Sequence, residues 1–204
     1  MKKCIRGLSR SLRLVNKVCN KIIPLVAVII VNWNGLNLTK KCVDSSMKLS
    51  YPSYKVIVVD NGSRLNEAKL LREIYGQSIR VLRVEVNRGY AAGANYGIKY
   101  ALNEFPAVRY FLVSNNDVAF EPDYLDKIIK FMEKSPHAGI VSGKIMLMGA
   151  KDVIYSVGQK YNLKTGFVKN IGFGIQNSKE EYKRPFEIDF VPGVAFVIKR
   201  EVIE

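Results

Sequence analysis

Apolar positions along this chain fall into short blocks that alternate between two spacings. Residues 25–31, 54–59, 79–86 and 110–113 are apolar, β-branched-rich runs, and runs of this length read as strands buried on both faces. Between them, residues 37–49, 65–75, 91–103 and 122–134 carry apolar side chains at three- and four-residue intervals, the spacing of helices with one buried stripe. Regular β-α-β-α order predicts an α/β fold, a Rossmann-like doubly wound and mainly parallel sheet with right-handed crossovers. Residues 139–146 are strand-like. The pattern changes at 149–187, rich in Gly, Tyr, Lys and Asn, which predicts hairpins or an insertion. Residues 188–199 form a last strand-like run interrupted by Pro192-Gly193, and the next residues begin another helical turn.

Ahead of the first strand lies a different pattern. Ile5, Leu8, Leu12, Val15, Cys19 and Ile22 alternate three and four apart, with Arg6, Arg10, Arg13, Lys17 and Lys21 as a second stripe. Residues 1–24 therefore predict a basic amphipathic N-terminal helix, suited to an anionic membrane surface or to packing on its own domain. Its apolar stretch is too short to span a bilayer. The expected organisation is this segment followed by one α/β domain over 25–204.

Charge sharpens that division. The chain has 32 Lys and Arg against 18 Asp and Glu, a net +14, and residues 1–24 supply seven cations without an acid. The remaining excess suits an anionic ligand, while no RNP, zinc-finger or helix-turn-helix signature supports nucleic acid as a partner. Cys4, Cys19 and Cys42 form no CxxC pair, so neither a disulfide framework nor a zinc site is expected. His137 beside Pro136 reads as a turn residue, and the mixed charges at 179–184 as a solvated loop.

Candidate chemistry gathers where the strands end. In an open α/β sheet, ligands bind beyond the carboxyl ends of the strands. The first strand runs into Asn32-Trp33-Asn34-Gly35, with the chain's one tryptophan. An indole there offers a stacking face for a nucleobase, or serves as a packing aromatic. The second ends in Asp60-Asn61-Gly62-Ser63, where a carboxylate can accept from a base or ribose, and where a plain turn is equally readable. The third gives Asn87-Arg88-Gly89-Tyr90-Ala91-Ala92-Gly93-Ala94-Asn95. That glycine loop opens a helix, a ready anion site to which Arg88 adds a bidentate cation, while Gly89, Gly93 and Gly97 also suit close helix–sheet packing. The fourth ends in Ser114-Asn115-Asn116-Asp117. Asp117 can hold a hard divalent cation with oxygen donors from the asparagines, or the tripeptide is turn and cap chemistry. Both the G-x-G-x-x-G fingerprint after the first strand and a Walker A loop are missing, which argues against NAD, FAD and ATPase chemistry.

These pieces, with Asp189-Phe190-Val191-Pro192-Gly193-Val194-Ala195-Phe196-Val197-Ile198-Lys199-Arg200 as a fifth, resemble the inverting nucleotide-sugar glycosyltransferases of family 2, which have the GT-A fold, and in particular their rhamnosyltransferase-like branch. The resemblance implies that Trp33 and Asp60 hold the nucleobase, with Asn32, Asn61, Asn87, Arg88, Gly93 and Asn95 around the nucleotide sugar. Asn115-Asn116-Asp117 resembles the D-x-D motif, which implies Mg²⁺ or Mn²⁺ on Asp117 and leaves Asn115 where the family's first acid stands. It implies transfer of a sugar from a dTDP- or UDP-sugar, dTDP-rhamnose among them, to a glycan or lipid-linked acceptor in cell-surface polysaccharide or glycoconjugate synthesis. The unpaired cysteines predict a cytoplasmic setting, and the basic N-terminal segment a peripheral place at the inner face of the cell membrane. The family's catalytic base lies in an acidic motif downstream of the segment resembling Asp189–Arg200, so a C-terminally truncated domain is expected and no base is assigned. The rival expectations are a non-catalytic nucleotide-binding fragment and a basic membrane-surface module.

Overall fold

The computed structural model describes residues 22–150 and 152–204, so the expected N-terminal helix lies almost wholly outside the described residues. The first half alternates as its spacing dictates. Strand β1 (Leu25–Asn32) leads to helix α1 (Leu36–Ser46), β2 (Tyr54–Asn61) to α2 (Glu67–Tyr75), β3 (Arg80–Val84) to α3 (Tyr90–Glu104), and β4 (Val108–Asn115) to α4 (Tyr124–Lys134). Beyond them come short strands β5 (Ile140–Val141), β6 (Ile145–Met146), β7 (Ile154–Ser156), β8 (Gln159–Tyr161) and β9 (Val168–Asn170), then β10 (Ala195–Lys199) and a last turn, α5 (Arg200–Ile203).

The main sheet has the order β3-β2-β1-β4-β10-β5. Its first four strands are parallel, whereas β10 runs antiparallel to both β4 and β5. The sheet is thus mainly parallel, as expected, with an antiparallel edge. The run read as 139–146 splits into β5 and β6, which belong to different sheets. The break falls at Gly143, where a Cβ would lie 2.5 Å from the Tyr124 ring, so only glycine lets the chain pass there.

The period-two pleat of β1 divides the core. Val26, Val28 and Ile30 face one cluster, closed by Cys42 and Val43 of α1, Leu71 of α2, and Leu125, Ile129 and Met132 of α4. Ala27, Ile29 and Val31 face the other, closed by Ala94, Ile98 and Ala101 of α3. Both faces of β1 are dry, which is why its sequence is an unbroken apolar run. From β1 the chain steps outward to β2 and β3, then crosses back on the opposite face through α3 to place β4 on β1's other side. The strand order therefore reverses between β1 and β4, the place at whose carboxyl ends open α/β sheets bind their ligands.

Candidate functional site

Parallel pairing brings the four predicted strand ends to one sheet edge, with Asn32 opposite Asp60 and Val31 opposite Asn115. What the polar residues do there divides into a buried layer and an exposed rim.

Asn32 is the hub of the buried layer. Its fully buried amide donates to Glu67 Oε2 at 2.8 Å and approaches Ser63 Oγ and Asp60 Oδ1 at 3.4 and 3.5 Å. Its Oδ1 accepts from Thr39 Oγ1 at 2.7 Å and from Asn116 Nδ2 at 3.2 Å. Asn116 also donates to Thr39 Oγ1 and to the Gly35 carbonyl, so it turns inward and ties the end of β4 to the start of α1. Buried amides of this kind demand partners, and here they come from α1, α2, the end of β2 and the loops after β2 and β4.

Asp60 is fully buried. Its Oδ2 takes a 2.6 Å ion pair from Arg83 Nη1 and the backbone N–H of Ala68, and its Oδ1 takes the N–H of Ser63. Register explains the pair, since Arg83 stands directly opposite Asp60 on β3. Arg83 Nη2 also donates to the Ser63 carbonyl. Ser63 Oγ in turn accepts from the Asn34 N–H at 2.9 Å, and Asn34 Oδ1 accepts from the Arg64 N–H. Asn34 adopts a left-handed φ of 50°, which asparagine tolerates better than most residues. The loop that presents Trp33 is thereby latched to the loop after β2.

A second clamp joins β2 to the glycine loop. Asn61, nearly buried, donates to Asn87 Oδ1 and to the Gly89 carbonyl, both at 3.0 Å, and Asn87 Oδ1 also accepts the Gly89 N–H at 2.7 Å. Gly93 fits beneath: a Cβ there would lie 3.0 Å from Val31 Cγ1 and 3.2 Å from Asn61 Cγ. Helix α3 starts with Gly89 as its cap residue and no side-chain cap, so its first N–H groups remain free for an anion.

The rim carries Trp33, 55% exposed, together with the exposed Arg88 and Asp117. Asn115 is half-buried and bonded through its backbone to the Val194 carbonyl at 2.9 Å, which brings the Pro192-Gly193 segment against the end of β4. Asn95 lies exposed on α3. Among the described residues no three His, Cys, Asp or Glu side chains converge as a metal cage. A lone exposed carboxylate fits Mg²⁺ or Mn²⁺ held jointly with ligand phosphates, the usual arrangement for these ions, and does not fit an all-protein site. Burial pushes the Cys42 thiol up to about 12, so it is not a nucleophile at neutral pH.

Three residues of this site, Thr39, Glu67 and Arg83, were not singled out by sequence, and Ser63 and Tyr90 had no role of their own there. Glu67 sits in the first turn of α2 and is buried against Asn32, Ser63 and the Gly35 N–H. A first-turn acid reads as helix-dipole chemistry, so nothing local flags it. Arg83 could have been found as the one cation in β3 that the pleat places beside Asp60. Tyr90, at the start of α3, has the one buried side-chain polar atom without a hydrogen-bond partner among the described residues. Burial, with the charge of Asp117 adding, holds its phenol well above the usual range, so it stays a neutral hydroxyl.

A mainly parallel α/β sheet whose strand order reverses at β1 and β4, with an uncapped helix start and an exposed carboxylate at the strand ends, is the architecture of GT-A glycosyltransferases. The model of "Glycosyl transferase family 2" matches residues 27–204, and the chain belongs to that family. An uncharacterized glycosyltransferase of Rickettsia felis is 31% identical over 120 residues, 58% of this chain and 19% of that protein. A poly-beta-1,6-N-acetyl-D-glucosamine synthase of Staphylococcus epidermidis is 25% identical over 130 residues, 63% of this chain and 30% of that protein. Among solved structures, the mannosyltransferase PcManGT of Pyrobaculum calidifontis, in complex with GDP-Man and Mn²⁺, shares the fold. Its TM-score is 0.53 at 21% identity, over 70% of this chain and 43% of that one. The chain thus spans less than half the length of each of these relatives.

Proposed function

We propose that residues 25–204 form the donor-binding domain of a metal-dependent transferase. It moves a hexosyl or rhamnosyl unit, with inversion, from a nucleoside diphosphate sugar to a glycan or lipid-linked acceptor during surface polysaccharide or glycoconjugate synthesis. The observation that carries this reading is the meeting, at one sheet edge, of the uncapped α3 start, the exposed Arg88 and the exposed Asp117. Orphan N–H groups and a guanidinium favour a diphosphate, and gain strength as negative charge builds on it when the sugar leaves. The bound Mg²⁺ or Mn²⁺, held by Asp117, would supply Lewis-acid neutralisation of that same diphosphate. Trp33 offers its exposed face to the base, and Asn95 completes the nucleotide side. Asn32, Asp60, Asn61, Asn87 and Asn116 act from beneath by fixing the loops that carry these groups.

Calorimetric titration with dTDP-, UDP- and GDP-sugars in the presence of Mn²⁺ tests the reading. Binding of one donor class is expected, weakened at least about tenfold in Asp117→Ala, since a metal-bridged diphosphate contributes more than the 1.4 kcal/mol that tenfold represents. Failure of every donor to bind, or equal binding by the variant, overturns it.

A further inference from the structure

Strands β8 and β9 form a hairpin, a two-stranded sheet of its own, paired from Gln159↔Asn170 to Tyr161↔Val168. Its turn is tightly made. Asn162 donates its N–H to the Phe167 carbonyl at 2.9 Å, its own carbonyl accepts from Gly166 at 2.8 Å, and its Oδ1 accepts from the N–H groups of Lys164 and Thr165. Gly166 closes the turn at φ +73°, where a side chain would be strained. A turn this well bonded is normally polar at its tip. Here it holds Leu163 and Phe167 outward, 89% and 76% exposed, with Val168 half exposed beside them.

Charge says what this apolar tip suits. Lys160, Lys164 and Lys169 flank it, and no acidic residue occurs from 153 to 179. A rigid tip of large apolar side chains ringed by lysines matches the layering of an anionic bilayer, in which apolar groups enter the acyl boundary and cations stay among the headgroups. An acidic protein surface would pair the lysines but leave Leu163 and Phe167 in water.

We propose that the β8–β9 hairpin is a membrane-docking element that seats its tip in the headgroup layer of an anionic bilayer. Its position gives the contact a purpose. Gln159 bridges Phe190 through a pair of backbone hydrogen bonds, and Tyr161 N–H donates to Asp189. Four residues after Phe190, the Val194 carbonyl accepts from the N–H of Asn115 at the end of β4, two residues before Asp117. The base of the hairpin is thereby joined, through residues 189–194, to the carboxyl end of β4. The proposal does not depend on which donor, or whether any, binds there.

The test uses the full chain carrying Leu163→Trp in a Trp33→Phe background, so that the indole at 163 is the only one. With phosphatidylcholine vesicles containing a third phosphatidylglycerol, its emission should shift to the blue and be quenched by brominated acyl chains. Leu163→Ser with Phe167→Ser should lower co-sedimentation by about tenfold or more, and charge reversal of Lys160, Lys164 and Lys169 by about fivefold per lysine. If the chain sediments with vesicles while the probe at 163 stays water-exposed, another surface binds them and the proposal fails. It fails equally if vesicles are not bound. A probe shielded without vesicles overturns it as well, assigning the hairpin to a second copy if light scattering gives twice the mass, and to intramolecular packing otherwise.

Discussion

Replacing Arg83 by methionine removes the one cation that faces buried Asp60 while keeping most of the aliphatic volume. Asp60 would retain the N–H groups of Ser63 and Ala68, so its charge would not be naked. It would lose a 2.6 Å charge-assisted hydrogen bond, worth roughly 1.5–3 kcal/mol when one partner is removed from a buried site. The Ser63 carbonyl would lose its 3.3 Å contact with Nη2, roughly another 0.5–1 kcal/mol. Arg83 is itself 20% exposed, so water can enter the vacated space and the total belongs near the low end of what breaking a buried pair costs, about 3 kcal/mol. For a chain of 204 residues that corresponds to a fall in Tm of roughly 6–12 °C. Urea unfolding should give an earlier midpoint with an unchanged slope. Trp33 reports locally, because its loop is tied through Asn34 to Ser63, so native-state emission should move toward the red. The double change Asp60→Asn with Arg83→Met should recover only part of the loss, since it removes the unpaired charge but sets the Asn amide NH2 against the Ser63 or Ala68 N–H. A single variant within about 0.5 kcal/mol of wild type would show that the backbone N–H groups alone satisfy Asp60.

Two further substitutions probe the helix between the sheet and the rim. Tyr90→Phe deletes a buried hydroxyl without a partner and should leave stability unchanged or raise it by up to about 1 kcal/mol, read by urea unfolding. A loss beyond that would reveal a hydrogen bond made by the hydroxyl in solution. Gly97→Ala gains roughly 1 kcal/mol of helix propensity but puts a Cβ 2.7 Å from Ile29 Cγ2 and 3.0 Å from Val59 Cγ2, both on fully buried side chains. Overpacking costs roughly 1–3 kcal/mol, so a net loss near 1 kcal/mol is expected, and a stabilised variant would refute the overpacking of Ile29 and Val59.

The βα order was legible because each parallel strand is buried on both faces and spells this out as an unbroken apolar run. The boundaries were less so. Strand β4 extends to Val108 and Asn115, beyond the apolar block at 110–113, because Ser114 and Asn115 are held by pairing with Ile30, Val31 and Ala195 rather than by their own character. The antiparallel direction of β10 was equally hidden: an apolar strand covered on both faces reads alike in either orientation. For the site, the sequence indicated which loops converge, but not which side chains turn inward. Asn116 and Asp117 are adjacent and both polar, yet one is tied to Asn32 and Thr39 while the other faces solvent. The residues overlooked, Glu67 and Arg83 above all, owe their roles to cross-strand register and loop packing, for which no local pattern exists.

That division between layers has an electrostatic logic. Four asparagines, at 32, 61, 87 and 116, carry most of the side-chain cross-links between strand ends. An amide both donates and accepts, so it can join two loops without leaving a charge beneath the crevice. The two carboxylates in the buried layer are restrained by other means, Asp60 by Arg83 and Glu67 by Asn32, Ser63 and the Gly35 N–H. Asp117 is then left as the exposed acid at the end of β4, facing a field set by Arg88 and the start of α3. On the proposed reading, a diphosphate approaching that edge would meet the free α3 N–H groups and the Arg88 guanidinium. On the same reading, a cation on Asp117 would draw that ligand from the other side, so the two groups would reinforce each other when one diphosphate spans both.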